Sequence, residues 1–137
     1  MKKRTKSIDT NDPAKRQAVI YARVSSKEQE KEGYSIPAQL KLLKEYAARE
    51  RLSAVQEYVD VETAKQTGRN NFSEMVAFLR ANTRVRIILV EKTDRLYRNL
   101  KDWVMLDELD VEIHLVKEGA ILSRNYTSSE KFMHGIK

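Results

Sequence analysis

Gln17-Ala18-Val19-Ile20-Tyr21-Ala22-Arg23-Val24 is the stretch that decides the fold. Its apolar residues run together instead of alternating, the pattern of a strand covered on both faces, as in a parallel sheet packed between helices. At Ser25-Ser26 the run gives way to a polar segment. A second apolar strand is expected over Arg86–Glu91, around Ile87-Ile88-Leu89-Val90, and Asp94-Arg95-Leu96-Tyr97-Arg98 follows it closely. If the two strands are neighbours in one sheet, a serine hydroxyl, a carboxylate and three guanidiniums meet at one edge. A serine among arginines suits a phosphate ester: the hydroxyl can attack phosphorus, and planar guanidiniums hold the non-bridging oxygens in pairs.

Outward from the first strand, the polar stretch Ser25–Tyr34 contains Gly33 and reads as a loop or a short irregular helix. Ile36, Leu40, Leu43 and Ala47 then recur at helical spacing, with Ser35 as N-cap and Pro37 in the first turn, so a helix is expected to about Leu52. Ala54–Val61 is β-rich and gives a second strand. Glu62–Asn71, with Gly68 and Arg69, is polar and reads as a loop. Phe72–Asn82 places Phe72, Met75, Val76 and Leu79 on one helical face.

Beyond the Asp94–Arg98 segment a short helix is expected over Asn99–Leu109, with Leu100, Val104 and Leu106 facing inward and Trp103 and Met105 in the core or at an interface. Val111–Val116 is a fourth strand, and Gly119 turns the chain into a short fifth at Ala120-Ile121-Leu122. Thr127 or Ser128 caps a last helix that has barely begun at Lys137. Strands alternating with helices make the fold class α/β, a mostly parallel sheet of four or five strands covered on both faces. Sites in such sheets lie beyond the carboxyl ends of the strands. Ser25, the Arg69 loop and Asp94–Arg98 all follow strands on that edge, so the fold and the chemistry point to the same place.

Composition narrows the chemistry. A chain of 137 residues with 41% hydrophobic content is one domain's worth and can bury a real core. It has no cysteine, which excludes disulfides, thiolate metal sites and thiol nucleophiles, and His114 and His134 do not make a metal site by themselves. No apolar run approaches the length of a membrane span, and no apolar segment follows the basic N-terminus as a secretory signal would, so a cytoplasmic location is expected. The net charge of +6 is uneven: in residues 1–17 six basic side chains face only Asp9 and Asp12, a balance of +4 that leaves about +2 for the rest. The expected organisation is a basic disordered leader over residues 1–16, one folded domain over 17–126, and the start of a last helix over 127–137.

Arg23-Val24-Ser25 after a strand, Gly33-Tyr34-Ser35-Ile36 leading to Gln39, and Asp94-Arg95-Leu96-Tyr97-Arg98 together resemble the catalytic domain of serine recombinases. That family includes the resolvases, the invertases and the large phage- and transposon-encoded integrases. The longer Gln29–Gln39 segment is more similar to the large-integrase branch, and the resemblance runs from about Gln17 to the C-terminus. It implies a resolvase-like three-layer α/β/α fold and site-specific recombination of double-stranded DNA.

In the mechanism that the resemblance implies, Ser25 attacks a backbone phosphate, forms a phosphoserine ester and releases a hydroxyl-terminated strand. The covalent link retains the bond energy, so no nucleotide cofactor is needed, and no metal is implied. Ser26 is the adjacent competitor, but the match aligns Ser25 with the nucleophile. Arg23, Arg69, Arg95 and Arg98 would bind the scissile phosphate and stabilise the charge that develops on it. Asp94 accepts a hydrogen bond from Ser25 or Arg23, takes part in proton transfer, or orients the arginines; the sequence leaves all three open. Gln29 and Gln39 match supporting positions near the serine.

The family further implies self-association, as a dimer and as a tetramer in the synaptic complex. Thr63 and Ala64 depart from the serine and glycine that many relatives carry there. The chain reads as an isolated catalytic domain, expected to fold alone, to associate weakly and to be nearly inactive by itself on DNA. The rival reading is a non-catalytic DNA-associated or oligomerisation module of the same fold, against which the retention of every arginine argues. A phosphate-ester hydrolase is more distant, since the common hydrolase mechanisms need a metal, Cys or His.

Overall fold

The computed structural model describes residues 15–25, 35–62, 70–97 and 99–123. The elements follow in the order β1 (Arg16–Ser25), α1 (Ile36–Arg49), β2 (Leu52–Glu62), α2 (Asn70–Ala81), β3 (Val85–Val90), α3 (Thr93–Leu96), α4 (Leu100–Asp107), β4 (Glu112–Leu115) and β5 (Ala120–Leu122). Among the described residues the strands form a five-stranded sheet in the order β2-β1-β3-β4-β5. β1 pairs in parallel with β2 and β3, β3 pairs in parallel with β4, and only β5 is antiparallel. The mostly parallel α/β fold expected from the sequence is the fold of the chain.

β1 lies inside the sheet between β2 and β3, and Ala18 to Ala22 are fully buried, as an unbroken apolar run between two helical layers requires. Alternate residues serve opposite layers. Val19 and Tyr21 join Ile88 and Val90 against Phe72, Met75, Val76 and Leu79 of α2 and Leu106 of α4. Ala18 and Ile20 join Ile87 and Leu89 against Leu43 and Ala47 of α1.

Local rules set the helix ends. The Ser35 side chain accepts from the Ala38 amide at 3.3 Å and Pro37 sits in the first turn, so α1 begins where expected. It ends at Arg49 rather than near Leu52, because Arg51 takes a left-handed turn (φ 59°) and the chain reverses into β2 two residues earlier than the sequence suggests. The turn between β4 and β5 depends on Gly119 at φ 63°, where a side chain would be strained. At the far end of α2, the Arg86 guanidinium takes the Leu79 carbonyl at 2.7 Å, an acceptor that the helix end leaves open, and the Leu109 carbonyl in the turn after α4 at 2.5 Å.

Two expectations change. In α4, Leu100 is 75% exposed and Val104 44%, whereas Leu106 is buried together with Asp102. The three leucine and valine positions cannot share a face: Leu100 and Val104 are one turn apart, but Leu106 lies on the opposite side of the helix. The Asn99 side chain, which caps α4 through the Asp102 amide at 3.0 Å, fixes the phase that buries Asp102 and Leu106. Trp103 and Met105 are half-buried, and Met105 packs against the core. The second change is α3, a single turn too short to show periodicity in the sequence. The Ser26–Tyr34 stretch, Thr63, Ala64, Gln29, Arg69, Arg98 and the helix expected from Thr127 or Ser128 lie outside the described residues.

A buried carboxylate ties β1, β2 and α2 together. Asp60 on β2 is 3% exposed. Its oxygens accept the Tyr21 hydroxyl at 2.7 Å and the amides of Asn71 at 3.0 Å and Phe72 at 2.9 Å. Those two amides are unsatisfied donors at the start of α2, so a residue from a neighbouring strand acts as the helix cap. The Tyr21 ring meets Phe72 edge-on with centroids 5.7 Å apart, which closes the same junction. Asp60→Ala is expected to lower the unfolding free energy by about 2–4 kcal/mol and Tyr21→Phe by about 1–2 kcal/mol. A double-mutant cycle in urea should return coupling between them. An Asp60→Ala protein as stable as the wild type would refute this role.

Candidate active site at the carboxyl edge of the sheet

Parallel pairing gathers the strand ends at one edge: Ser25 closes β1, Glu62 closes β2, and α3 follows β3 after Glu91 and Lys92. Tyr21, Arg23 and Ser25 are two residues apart and share one face of β1, and Asp60 and Glu62 share the matching face of β2. The contacts run diagonally across this pair. Tyr21 reaches Asp60, two residues beyond its own register partner Tyr58, and Arg23 reaches Glu62, two residues beyond its partner Asp60. Ser25 is half-buried and is itself the register partner of Glu62.

Arg23 is the centre of this edge. Its Nε donates to the Arg95 carbonyl at 3.1 Å, and the same guanidinium donates through a second nitrogen to the Asp94 carbonyl. The third nitrogen donates to Glu62 Oε1 at 3.1 Å, in an ion pair whose side chains are only 12% and 24% exposed. The backbone of Arg23 is held as firmly as its side chain. Its amide donates to Gln39 Oε1 at 3.2 Å, and Gln39 Nε2 returns a bond to the Arg23 carbonyl at 3.0 Å. Gln39, fully buried on α1, thus treats β1 as another strand would, and fixes the residue two places before Ser25.

α3, which carries Asp94 and Arg95, is tethered from several sides. The Glu118 carboxylate, in the β4–β5 turn, accepts the Thr93 amide at 3.1 Å and the Thr93 hydroxyl at 2.6 Å. This supplies the capping acceptor that Lys92, at the N-cap position, does not provide. Arg95 is 4% exposed and turns inward, where Nε donates to Glu91 Oε1 at 3.2 Å; the other Glu91 oxygen meets Lys117 Nζ at 3.2 Å. Asp94 is exposed, and its recorded contact with Arg23 is made by the backbone carbonyl rather than the carboxylate. Tyr97 is the other hydroxyl of this motif. Burial, with Asp107 adding to it, pushes its pKa far above the ordinary tyrosine value, so it stays protonated and packs against the core.

Of the residues expected at the site, Ser25, Arg23, Gln39, Asp94 and Arg95 fall among those described. Arg23 is brought into contact with Gln39, Asp94 and Arg95, and Ser25 stands one side-chain step further along the same strand face. Glu62, Glu91 and Glu118 were not foreseen. Glu91 had a signal, its i, i+4 spacing to Arg95. Glu62 and Glu118 had none, because each is joined to its partner only by the sheet register or a turn. Among the described residues, no three His, Asp or Glu side chains are grouped as a metal site requires, and no helix is long and apolar enough to cross a membrane.

A guanidinium buried as deeply as that of Arg95 depends on its carboxylate. Glu91→Ala is expected to destabilise the fold by about 3–5 kcal/mol, since it removes the carboxylate paired with that buried guanidinium. Lys117→Ala removes only an ammonium that is 54% exposed and should cost less than about 1 kcal/mol. Chemical denaturation of the two variants checks this order, and equal effects would contradict it.

The family model of the resolvase N-terminal domain matches residues 18–137. The N-terminal catalytic domain of TP901-1 integrase superposes with a TM-score of 0.68 at 22% identity, over 88% of this chain and 90% of that one. A resolvase-family site-specific recombinase from Streptococcus pneumoniae gives 0.70 at 26% identity, over 88% and 83%. The C-terminal catalytic domain of ISC1926 TnpA, an IS607-like serine recombinase, gives 0.60 at 22%, over 85% and 76%. A comparison with curated protein sequences gives no match. The mostly parallel sheet is therefore a fold shared with these recombinase domains, and the chain belongs to the resolvase N-terminal domain family, the catalytic domains of the serine recombinases.

Proposed function

We propose that this domain cleaves and rejoins double-stranded DNA through a phosphoserine intermediate formed on Ser25. The observation that carries the reading is the placement of Ser25 on the same strand face as Arg23, whose guanidinium is already fixed against α3 and Glu62. In the proposed reaction the Ser25 hydroxyl gives up its proton as its oxygen forms a bond to phosphorus, the bond from phosphorus to one strand oxygen breaks, and that oxygen takes up a proton and leaves as a hydroxyl, so no net proton is gained or lost. Reversal by a hydroxyl-terminated strand restores the phosphodiester, so the energy of the bond is kept and no nucleotide is consumed.

Arg23 would meet the phosphate directly, because its orientation is set in advance by backbone carbonyls that need not move during the reaction. Arg95, turned inward onto Glu91, would shape the α3 backbone that holds Arg23 or would rotate outward in the assembled complex. Arg69 and Arg98 complete the set of phosphate ligands in this reading, with Asp94 and Gln29 beside them. Gln39 would act by holding the Arg23 backbone. The low charge of the body, about +2 outside the first 17 residues, supports a division of labour in which the affinity for DNA comes from other regions and from self-association to dimers and tetramers. A cytoplasmic location fits work on DNA.

The test is recovery of covalent protein–DNA adducts from cells that express the recombinase bearing this domain, by precipitation under denaturing conditions and sequencing of the attached DNA. Wild type should yield adducts at a restricted set of sites, and Ser25→Ala should lower them at least a hundredfold while the protein remains folded. Adducts undiminished in Ser25→Ala and lost in Ser26→Ala would move the nucleophile by one residue. No adducts from the wild type, with DNA association intact, would favour the non-catalytic module.

A further inference from the structure

We propose that Glu62 is an internal competitor for the phosphate: in the free protein its carboxylate occupies the edge of Arg23 that a phosphodiester beside Ser25 would take, and binding of DNA exchanges one anion for the other. This rests on the reading that Arg23 is a phosphate ligand. The Arg23 guanidinium has contacts of two kinds. Toward α3 it meets the carbonyls of Arg95 and Asp94, which are neutral and are held in place by the Glu118 cap and the Glu91–Arg95 pair. Toward β2 it meets one oxygen of the Glu62 carboxylate at 3.1 Å, a charge-assisted contact of the kind a phosphate oxygen would also make.

The placement of Glu62 makes it the partner that can leave. It is the last residue of β2 and the register partner of Ser25, so its side chain stands on the same side of Arg23 as the serine. A phosphate brought to Ser25 with Glu62 in place would set two anions on one guanidinium. The Glu62 side chain is 24% exposed at the end of β2 and has solvent to move into. The α3 carbonyls, by contrast, belong to a turn tied to β1, β3 and the β4–β5 turn. Exchange would therefore keep Arg23 oriented throughout, shielded from stray phosphates by a weak intramolecular anion until a positioned phosphodiester displaces it.

The experiment titrates the chain with inorganic phosphate and follows the backbone amide signals of Ser25 and Asp94 by NMR. Glu62→Gln, which keeps the shape and removes the charge, and Glu62→Ala, which removes both, should each bind phosphate about tenfold more tightly than the wild type. Arg23→Gln in the Glu62→Gln background should erase that gain. If both Glu62 variants keep the dispersed spectrum of the fold but bind phosphate no better than the wild type, while Arg23→Gln still weakens binding, Glu62 orients Arg23 rather than competing for it and the proposal fails alone. If Arg23→Gln leaves phosphate binding unchanged in both backgrounds, the phosphate reading of Arg23 fails and this proposal fails with it.

Discussion

One guanidinium holds the functional edge of this domain together. Arg23 projects from the end of β1, an interior strand, and bonds to a carboxylate on one neighbouring strand and to two carbonyls of the turn that follows the other. A flexible side chain could not do this cheaply, since ordering an arginine costs rotamer entropy. The structure meets that cost by fixing the backbone first: Gln39, buried beneath the strand, exchanges two hydrogen bonds with the Arg23 peptide groups. α1, α3, β1 and β2 therefore meet at one residue, α1 through its backbone and α3 and β2 through its guanidinium, and Ser25 follows it two positions later on the same strand face.

The same edge shows how a site poor in net charge can still concentrate positive charge where a phosphate would bind. Each described arginine of the motifs is balanced by a carboxylate from a strand end, Arg23 by Glu62 and Arg95 by Glu91. The two pairs differ in what they permit. Glu91 is 2% exposed and shares its charge with Lys117, so its removal would take the paired carboxylate from a buried guanidinium and threaten the fold. Glu62 lies at the rim and can give up its place. Structure and function thus divide between two ion pairs at one edge, and a third carboxylate, Asp60, joins β1 and β2 to α2.

Much of this was legible in the sequence. A short unbroken apolar run at Ala18–Ala22, rich in β-branched and aromatic residues, reads as a strand covered on both faces, and its ending at Arg23-Val24-Ser25 places polar groups at the carboxyl edge. Gln39 could be matched to a supporting position, but only the structure reveals that it binds the backbone of Arg23. What stayed hidden depends on register or on helix phase. Glu62 meets Arg23 through a diagonal across two strands 39 residues apart in sequence, and no local pattern announces it. In α4, apolarity alone suggested Leu100 and Val104 as core residues, whereas the Asn99 cap rotates the helix to bury Asp102 and Leu106. α3 is a single turn held by partners from elsewhere in the chain, beyond the reach of any periodicity.

The central claim is that Ser25, set beside a pre-oriented Arg23, is the atom donor that joins protein to DNA. Mass spectrometry of a trapped covalent complex tests it most directly. After exhaustive digestion of both protein and DNA, the account predicts a single modified peptide, spanning Arg23-Val24-Ser25-Ser26, with one nucleotide phosphate carried on Ser25. A phosphate on Ser26, on Tyr97 or on any other side chain would contradict it, as would cleaved DNA with no phosphate attached to the protein.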